Sequence, residues 1–473
     1  MSSLPRMYSI RGVIGLKSIL QMARTLITES VNKIGEEVSL MGWVNIVRDH
    51  GKITFIDLYD RSGTIQIVGQ GEDFHTLRPQ FVIRVIGTVN KRPSHMVNDK
   101  IPTGTVEIKA KSIEVISKSE ELPFDITKEE LDLELPTLLD FRGLTLRHPK
   151  VKAIFKVQEV IIDAFRQSLK EKDFTEFQAP VIIPQGAEGG AEMFEISYFK
   201  YKAFLAQSPQ FYKQILVGVF ERVFAVNKTL RAEPSVTTRH LTEVTTLDAE
   251  FGFIESWQDV MDISEYVIKF IFQRVAKECV EELKMFNAAV PIVSDKIPQI
   301  KLRDAQEIIF KRTGRDVKKE PDLSPEDEKE ICKWAHVEKG SELVFVSHFP
   351  TAKRPFYTQP DPEDPEFTLG FDMLGRGTEW LTGGQRINDL QTLIKNAKER
   401  NIDLEKSALY LQAFKFGMPP EGGFSFGSER ITMHILGLKN IREASLFPRD
   451  MERVDVRLST LKNNVDIKPK KKK

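Results

Sequence analysis

The segment Gln207-Ser-Pro-Gln-Phe-Tyr-Lys-Gln214 sets a lysine among hydroxyl and amide side chains. Arg231-Ala-Glu233 and Thr238-Arg-His-Leu-Thr-Glu243 follow closely. Farther on, Gly383-Gly-Gln-Arg386 and Gly427-Ser-Glu-Arg430 contribute two more arginines. Arginine forks grip phosphoryl groups and carboxylates in pairs of hydrogen bonds, and a lysine offers a point charge. Carboxylates in turn hold an ammonium. The set suits a ligand that carries both a phosphate chain and a small charged amino acid. No G-x-x-x-x-G-K-[ST] loop occurs, so any ATP must be held by side chains.

These groups need a scaffold, and 473 residues allow two or three domains, each with its own core. Apolar residues make up 41% and charged residues 29%, an ordinary composition for a soluble chain. Lys+Arg and Asp+Glu are equal at 68 each, so an RNA surface must be a local basic patch. Cys279 and Cys332 stand far apart, which predicts a reducing, cytoplasmic setting without disulfides or structural zinc. No apolar run approaches the roughly 20 residues that cross a bilayer. The basic, acid-poor residues before Met22 have the look of a transit peptide, but Met22 reads directly into the first domain as a start, and that reading is preferred. The terminal Lys-rich run predicts a solvated tail.

Alternation and turn residues predict five strands: Val38–Val47, Ile53–Tyr59, Thr64–Val68, Val82–Val89 and Thr105–Ile116. Asp60-Arg-Ser-Gly63 divides two of them. Five short strands in some eighty residues fit a Greek-key barrel of the oligonucleotide-binding type, and a sandwich fragment has a similar pattern. Residues 1–35 precede this barrel at 36–120, and an acidic, proline-bearing hinge follows at 121–145. The remainder, 146–473, opens on a long amphipathic helix through Ile154, Val157, Ile161 and Ala164. It then mixes strands and helices without βαβ repetition, and 293–340 reads as a charged helical insertion. The expected class is α+β, a barrel followed by a mainly antiparallel sheet flanked by helices.

In that order, the motifs resemble those of class II aminoacyl-tRNA synthetases, most closely the aspartyl enzymes of archaeal and eukaryotic type. The resemblance runs from about Met22 to Arg457. It implies that Arg231 bridges an α-phosphate and the attacking carboxylate, and that Glu233 holds the adenine amino group. Arg239 and His240 would meet the outer phosphates, with Leu241, Gly427, Ser428, Glu429 and Arg430 completing the ATP site. Arg231 and Arg430 are the implied catalytic residues, since adenylate formation needs positive forks and no nucleophilic side chain. Glu379 and Thr382 match the family's magnesium-binding pair. The family usually has serine at Thr382 and glycine at Ser425. His434 is expected to pack rather than to catalyse.

For the amino acid, Lys213 and Arg386 match the residues that take a side-chain carboxylate. Glu188, Ser208, Gln210 and Asp248 match those around the ammonium, and Thr382 also joins the substrate pocket. Asparaginyl enzymes do not usually keep the lysine, so Lys213 points to aspartate. In the barrel, Arg48, Phe55 and Gln66 match anticodon-binding positions, although alternation alone does not say which face Phe55 takes. A homodimer is implied around Phe174–Pro180, with the helix through Ile161 and the strand Val181–Ile183 as its interface. The expected activity joins L-aspartate, through its adenylate, to the 3′ end of tRNA-Asp, and leaves tRNA-Asn open as a second acceptor. The competing readings are an asparaginyl enzyme and a tRNA-binding protein without catalysis. Loss of Arg231, Glu379 or Arg430 would favour the latter, and all three are present.

Overall fold

The structure is a computed structural model that describes residues 22–186, 193–233 and 237–460. Its contacts divide the chain into two compact units, 1–131 and 132–473.

In the first unit, every second side chain of the strands is apolar, and burying that set on one side curls the sheet into a closed barrel. The strands are β1 (Glu37–Asp49), β2 (Thr54–Tyr59), β3 (Thr64–Gly69), β4 (Val82–Lys91) and β5 (Val106–Ser117), in spatial order β1-β2-β3-β5-β4. Leu40, Val44, Ile56, Leu58, Ile65, Ile67, Ile83 and Val85 fill the interior. Asp60 builds the turn after β2, accepting from the backbone N–H of Ser62 and Gly63.

The second unit is organised by an eight-stranded sheet. In chain order its members are β6 (Thr175–Glu176), β10 (Arg222–Leu230), β11 (Glu243–Gly252), β12 (Gln299–Lys301), β13 (Leu343–Ser347), β14 (Gly370–Gly375), β15 (Thr378–Gln385) and β16 (Glu421–Gly427). The spatial order is β12-β13-β14-β15-β16-β11-β10-β6, antiparallel except for the pairs at the two edges. A separate small sheet joins β7 (Ile182–Ile183), β8 (Glu195–Tyr198) and β9 (Tyr201–Leu205). The helices include α1 (Pro149–Lys170), α2 (Gln210–Phe220), α3 (Trp257–Glu278), α4 (Leu302–Thr313), α5 (Pro325–Lys339), α6 (Ala408–Lys415) and α7 (Ser428–Leu436).

Local sequence fixes these boundaries. Pro149 stands at the start of α1, and the His148 side chain caps it by accepting from the Lys150 N–H. The strip Ile154, Val157, Ile161, Ala164 and Phe165 then packs into the core with Phe224 and Phe426. Ile161 is therefore internal and cannot serve as an interface residue. Ser324 and Asp327 form a capping box at the start of α5, and Gly340 ends it in the left-handed conformation.

Two expectations need adjustment. The segment read as an inserted helical element also carries β12, which extends the main sheet. Its helices share a core containing Leu302, Ile309 and Trp334 with Val344 and Val346 of β13. The stretch read as a hinge becomes helical at Leu135–Asp140 and Arg142–Thr145. Arg142 anchors it by donating to the backbone carbonyls of Glu443, Ser445 and Leu446.

His434 of α7 stacks on Trp380 of β15, with ring centroids 5.4 Å apart. Its Nε2 is buried without a partner among the described residues. Burial first, then Arg430, Arg239 and Arg376, push its pKa down to about 3. An unfolded histidine binds a proton near pH 6.5. Between those values the unfolded chain holds the extra proton, so this contribution to stability is complete above about pH 6.5 and is lost as the pH falls. Lowering the pH from 7 to 5 should remove about 2 kcal/mol through this group. Urea unfolding at the two pH values checks it: His434→Phe, which keeps the stack, should show an acid loss smaller by about that amount.

Candidate active site

Helix α2 turns a polar face inward. Gln210, Lys213, Gln214 and Val217 are its buried residues, at the spacing a core helix normally fills with apolar side chains. Opposite, β11 alternates so that Thr246, Asp248 and Glu250 project together, and all three are buried. Lys213 Nζ lies 3.0 Å from Glu250 Oε2 and 3.4 Å from Asp248 Oδ1. Arg386, just beyond β15, donates from Nε to Glu250 Oε1 at 2.7 Å and from Nη2 to the Gly423 carbonyl at 3.0 Å. Burial alone would raise the Glu250 pKa, but Arg386 and Lys213 outweigh it and hold the carboxylate below its ordinary range. Gly423 makes room for this cluster: a Cβ there would lie 2.1 Å from Glu250 Oε2.

Above the cluster is a cavity of about 270 Å³, lined by Ser208, Gln210, Lys213, Asp248, Thr382 and Arg386 among others. A second cavity of about 180 Å³ adjoins it, lined by Glu233, Arg239, His240, Leu241, Gly427, Glu429 and Arg430. Arg231, Thr246, Glu379, Thr382 and Ser425 line both. Serine at 425 therefore still lets β16 form the shared wall, paired with Asp248 and Thr382. The strand leading to Arg231 is also regular. From Arg222 to Leu230, β10 pairs with β11 without a break, and the Arg231 N–H continues to the Thr242 carbonyl at 2.8 Å.

Within the second cavity, Arg231 and His240 flank Glu233 at 3.9 and 3.6 Å, and Arg239 lies 3.6 Å from Glu328 of α5. Arg430 donates to the Glu379 carbonyl at 2.8 Å. Glu429 lines the wall while accepting from the Thr245 N–H and the Ser428 hydroxyl, so it braces β11 against α7. Ser428 is fully buried and does not face the cavity. Glu188 lies outside the described residues.

Arg354 and Asp372 have no counterpart in the motif reading. Arg354 binds Asp372 with both of its terminal nitrogens and reaches the Thr382 hydroxyl at 3.4 Å. Burial and then Asp372 push Glu379 up to about 7. Glu379 and Thr382 line both cavities and offer them a carboxylate and a hydroxyl. An all-oxygen donor set of this kind fits Mg²⁺. Among the described residues no group of three or more His, Cys, Asp or Glu could enclose an ion, so the remaining ligands would be phosphate oxygens and water.

Glu250 was also missed, although Asp-Ala-Glu250 on a strand puts two acids on one face and was a usable signal. Arg354 in Lys-Arg-Pro-Phe-Tyr357 gave none: loop geometry brings it to the site.

In the barrel, Phe55 and Gln66 are partly exposed between buried neighbours, which puts them on the outer face. Across the strands, Arg48 pairs with Phe55, and Asp57 pairs with Gln66. Arg48 forms a two-pronged bond to Asp57 at 2.8 and 2.7 Å, and Gln66 donates to Glu107 at 3.0 Å. Phe55 meets His50 edge-on. Trp43 stacks on Tyr59 nearby, an aromatic pair that the motifs did not indicate.

Comparison with known proteins agrees with this architecture. Residues 134–451 match the family of class II tRNA synthetases (D, K and N), and residues 38–116 match the OB-fold nucleic acid binding domain. The chain is 40% identical to an aspartate--tRNA(Asp/Asn) ligase of Deinococcus radiodurans, over 92% of this chain and 99% of that protein. It is 37% identical to an aspartate--tRNA(Asp) ligase of Pyrococcus furiosus, over 90% and 98%. Among solved structures, an asparaginyl-tRNA synthetase from Pyrococcus horikoshii complexed with asparaginyl-adenylate superimposes with a TM-score of 0.83 at 30% identity, covering 91% of this chain and 99% of that one. A barrel of the oligonucleotide-binding type, an antiparallel sheet and two adjoining charged cavities thus coincide with the family match: the chain belongs to the class II tRNA synthetases of the aspartate, lysine and asparagine group.

Proposed function

We propose that this chain is an aspartate--tRNA ligase, which condenses L-aspartate with ATP to aspartyl-adenylate and transfers the aspartyl group to the 3′ end of tRNA-Asp. The observation that carries this reading is the buried pair Lys213 and Arg386: their shared partner Glu250 neutralises one of the two positive charges, and Asp248, 3.4 Å from Lys213, is left to pair with the substrate's ammonium. The remaining charge suits a substrate side-chain carboxylate. A carboxamide would leave a buried cation facing a neutral group, at a cost of about 1–3 kcal/mol or more. The names of the Deinococcus and Pyrococcus relatives point the same way. They differ over tRNA-Asn, and charging purified tRNA-Asp and tRNA-Asn in parallel decides that point for this chain.

In this reading Asp248, Ser208 and Gln210 receive the ammonium. Arg231, common to both cavities, holds the substrate's α-carboxylate against the α-phosphate. A carboxylate oxygen attacks the α-phosphorus, the bond to the bridging oxygen breaks, and diphosphate leaves toward Arg239, His240 and Arg430. The attacking group is already ionised, so no general base is required. Glu233 takes the adenine amino group. Mg²⁺ held by Glu379 and Thr382 would supply charge neutralisation on the phosphates. Free, buried Cys279 and Cys332 support a reducing, cytoplasmic setting, and no helix among the described residues is long and apolar enough to cross a membrane.

Lys213→Met should abolish aspartate-dependent pyrophosphate exchange. Unchanged exchange at saturating aspartate would falsify the pocket assignment.

Arg48, Phe55 and Gln66 are read as the anticodon-binding face. An aromatic platform contributes ~1–3 kcal/mol per stacked base. Phe55→Ala should therefore slow tRNA charging by about one to two orders of magnitude. Pyrophosphate exchange, which needs no tRNA in this family, should barely change. Equal losses in both assays would mean a damaged fold, and no loss in either would move anticodon reading elsewhere on the barrel.

We also infer a homodimer. Val181, Ile182, Phe199, Tyr201, Phe220 and Phe253 are exposed apolar residues from the small sheet, α2 and the end of β11. An active monomer in light scattering at micromolar concentration would rule the dimer out.

A further inference from the structure

Glu421 opens β16 and takes no part in the adenylate-forming steps above. It is fully buried. Gln214 Nε2 donates to its Oε1 at 2.9 Å, while its Oε2 has no partner among the described residues. Gln214 cannot rotate to serve that second oxygen. Its own Oε1 already accepts from the Tyr410 hydroxyl and from Gln210 Nε2, each at 3.0 Å, which fixes the amide with its N–H groups toward Glu421.

The groups facing Glu421 come from four elements: Glu250 of β11, Arg386 beyond β15, Lys213 and Gln214 of α2, and Tyr410 of α6. Burial first, and then Glu250, push its carboxyl well above the ordinary range, against the opposing pull of Gln214, Arg386 and Lys213. One neutral donor cannot compensate a buried carboxylate beside another acid.

The charge of the amino-acid cavity follows from this. Lys213 and Arg386 carry two positive charges and Glu250 one negative, while the negative charge of Asp248, 3.4 Å from Lys213, is the one assigned above to the ligand's ammonium. With Glu421 neutral, one positive charge remains for the ligand's side chain. With Glu421 ionised the sum is zero, and a carboxamide is matched as well as a carboxylate. We propose that Glu421, a buried carboxyl group with a single donor and one unpartnered oxygen, is a specificity-determining residue that sets the cavity to prefer a carboxylate over a carboxamide side chain. The proposal rests on the aspartate reading given under the proposed function.

The test is pyrophosphate exchange with aspartate and with asparagine between about pH 6.5 and 9.5, using the unmodified enzyme, Glu421→Gln and Gln214→Met. Above the point at which Glu421 ionises, the KM for aspartate of the unmodified enzyme should rise by up to about tenfold per pH unit relative to Glu421→Gln, whose amide cannot ionise. The two kcat profiles should stay parallel, and only the unmodified enzyme should lose preference for aspartate over asparagine. Gln214→Met removes the single donor that favours the ionised form, so its alkaline limb should move to higher pH. That arm stands even if Glu421→Gln does not fold. Superimposable KM profiles for the unmodified enzyme and Glu421→Gln would overturn the proposal. An alkaline limb in Gln214→Met at or below the original pH would do the same. Absence of aspartate-dependent exchange in the unmodified enzyme at every pH is a distinct result, which removes the substrate reading and this proposal with it.

Discussion

Lys213, Glu250 and Arg386 meet in the interior of the catalytic unit, each almost wholly removed from water. Burying three charges is costly, and their mutual attraction offsets that cost only when the geometry is tight. Removing one partner from such a set typically costs about 3–5 kcal/mol, because the others are left buried and unpaired. The surroundings reflect this constraint. Helix α2 turns its glutamines inward, β11 carries acids where a core strand would carry apolar residues, and β16 has glycine at 423 because no side chain would fit beside Glu250. The same cluster lies at the first cavity, so in the proposed reading the interaction that fixes the interior also selects the ligand.

Arg231 connects that cavity to its neighbour. It lines both, and it is held at the end of β10 by a backbone bond to Thr242 and by proximity to Glu233. In the proposed reading a single guanidinium thus touches the two ligands that must react. Most of the gain in such chemistry comes from bringing them together in a fixed orientation. Arg354 also lines the first cavity, bound to Asp372 and 3.4 Å from the Thr382 hydroxyl.

Much of this was legible in the sequence because the relevant signals are local. Alternating apolar residues located the barrel strands to within a residue or two, and the expected amino-acid-site residues that the structure describes do line one cavity. What escaped was non-local. Glu250 and Glu421 become neighbours only through strand pairing, since β16 lies beside β11 in space and far from it in sequence. Arg354 arrives on a loop with no periodicity to read. The segment 293–340 looked detached because its surface is charged, while the few apolar residues that tie it to β13 are spread over two helices. The outward placement of Phe55 required the barrel's actual register.

The order of strands also governs how the enzyme can be made. Strand β16 lies between β15 and β11 in the middle of the main sheet, yet it is the last of the sheet's strands to be synthesised. Until Glu421–Gly427 has left the ribosome, β15 and β11 each expose an unpaired edge, and the wall shared by the two cavities does not exist. The barrel, by contrast, closes entirely from residues 37–117 and can fold while the rest is still being translated. A nascent chain therefore acquires its RNA-binding module long before its chemistry. The interval between them is a period in which a chaperone has more to shield than in the finished protein.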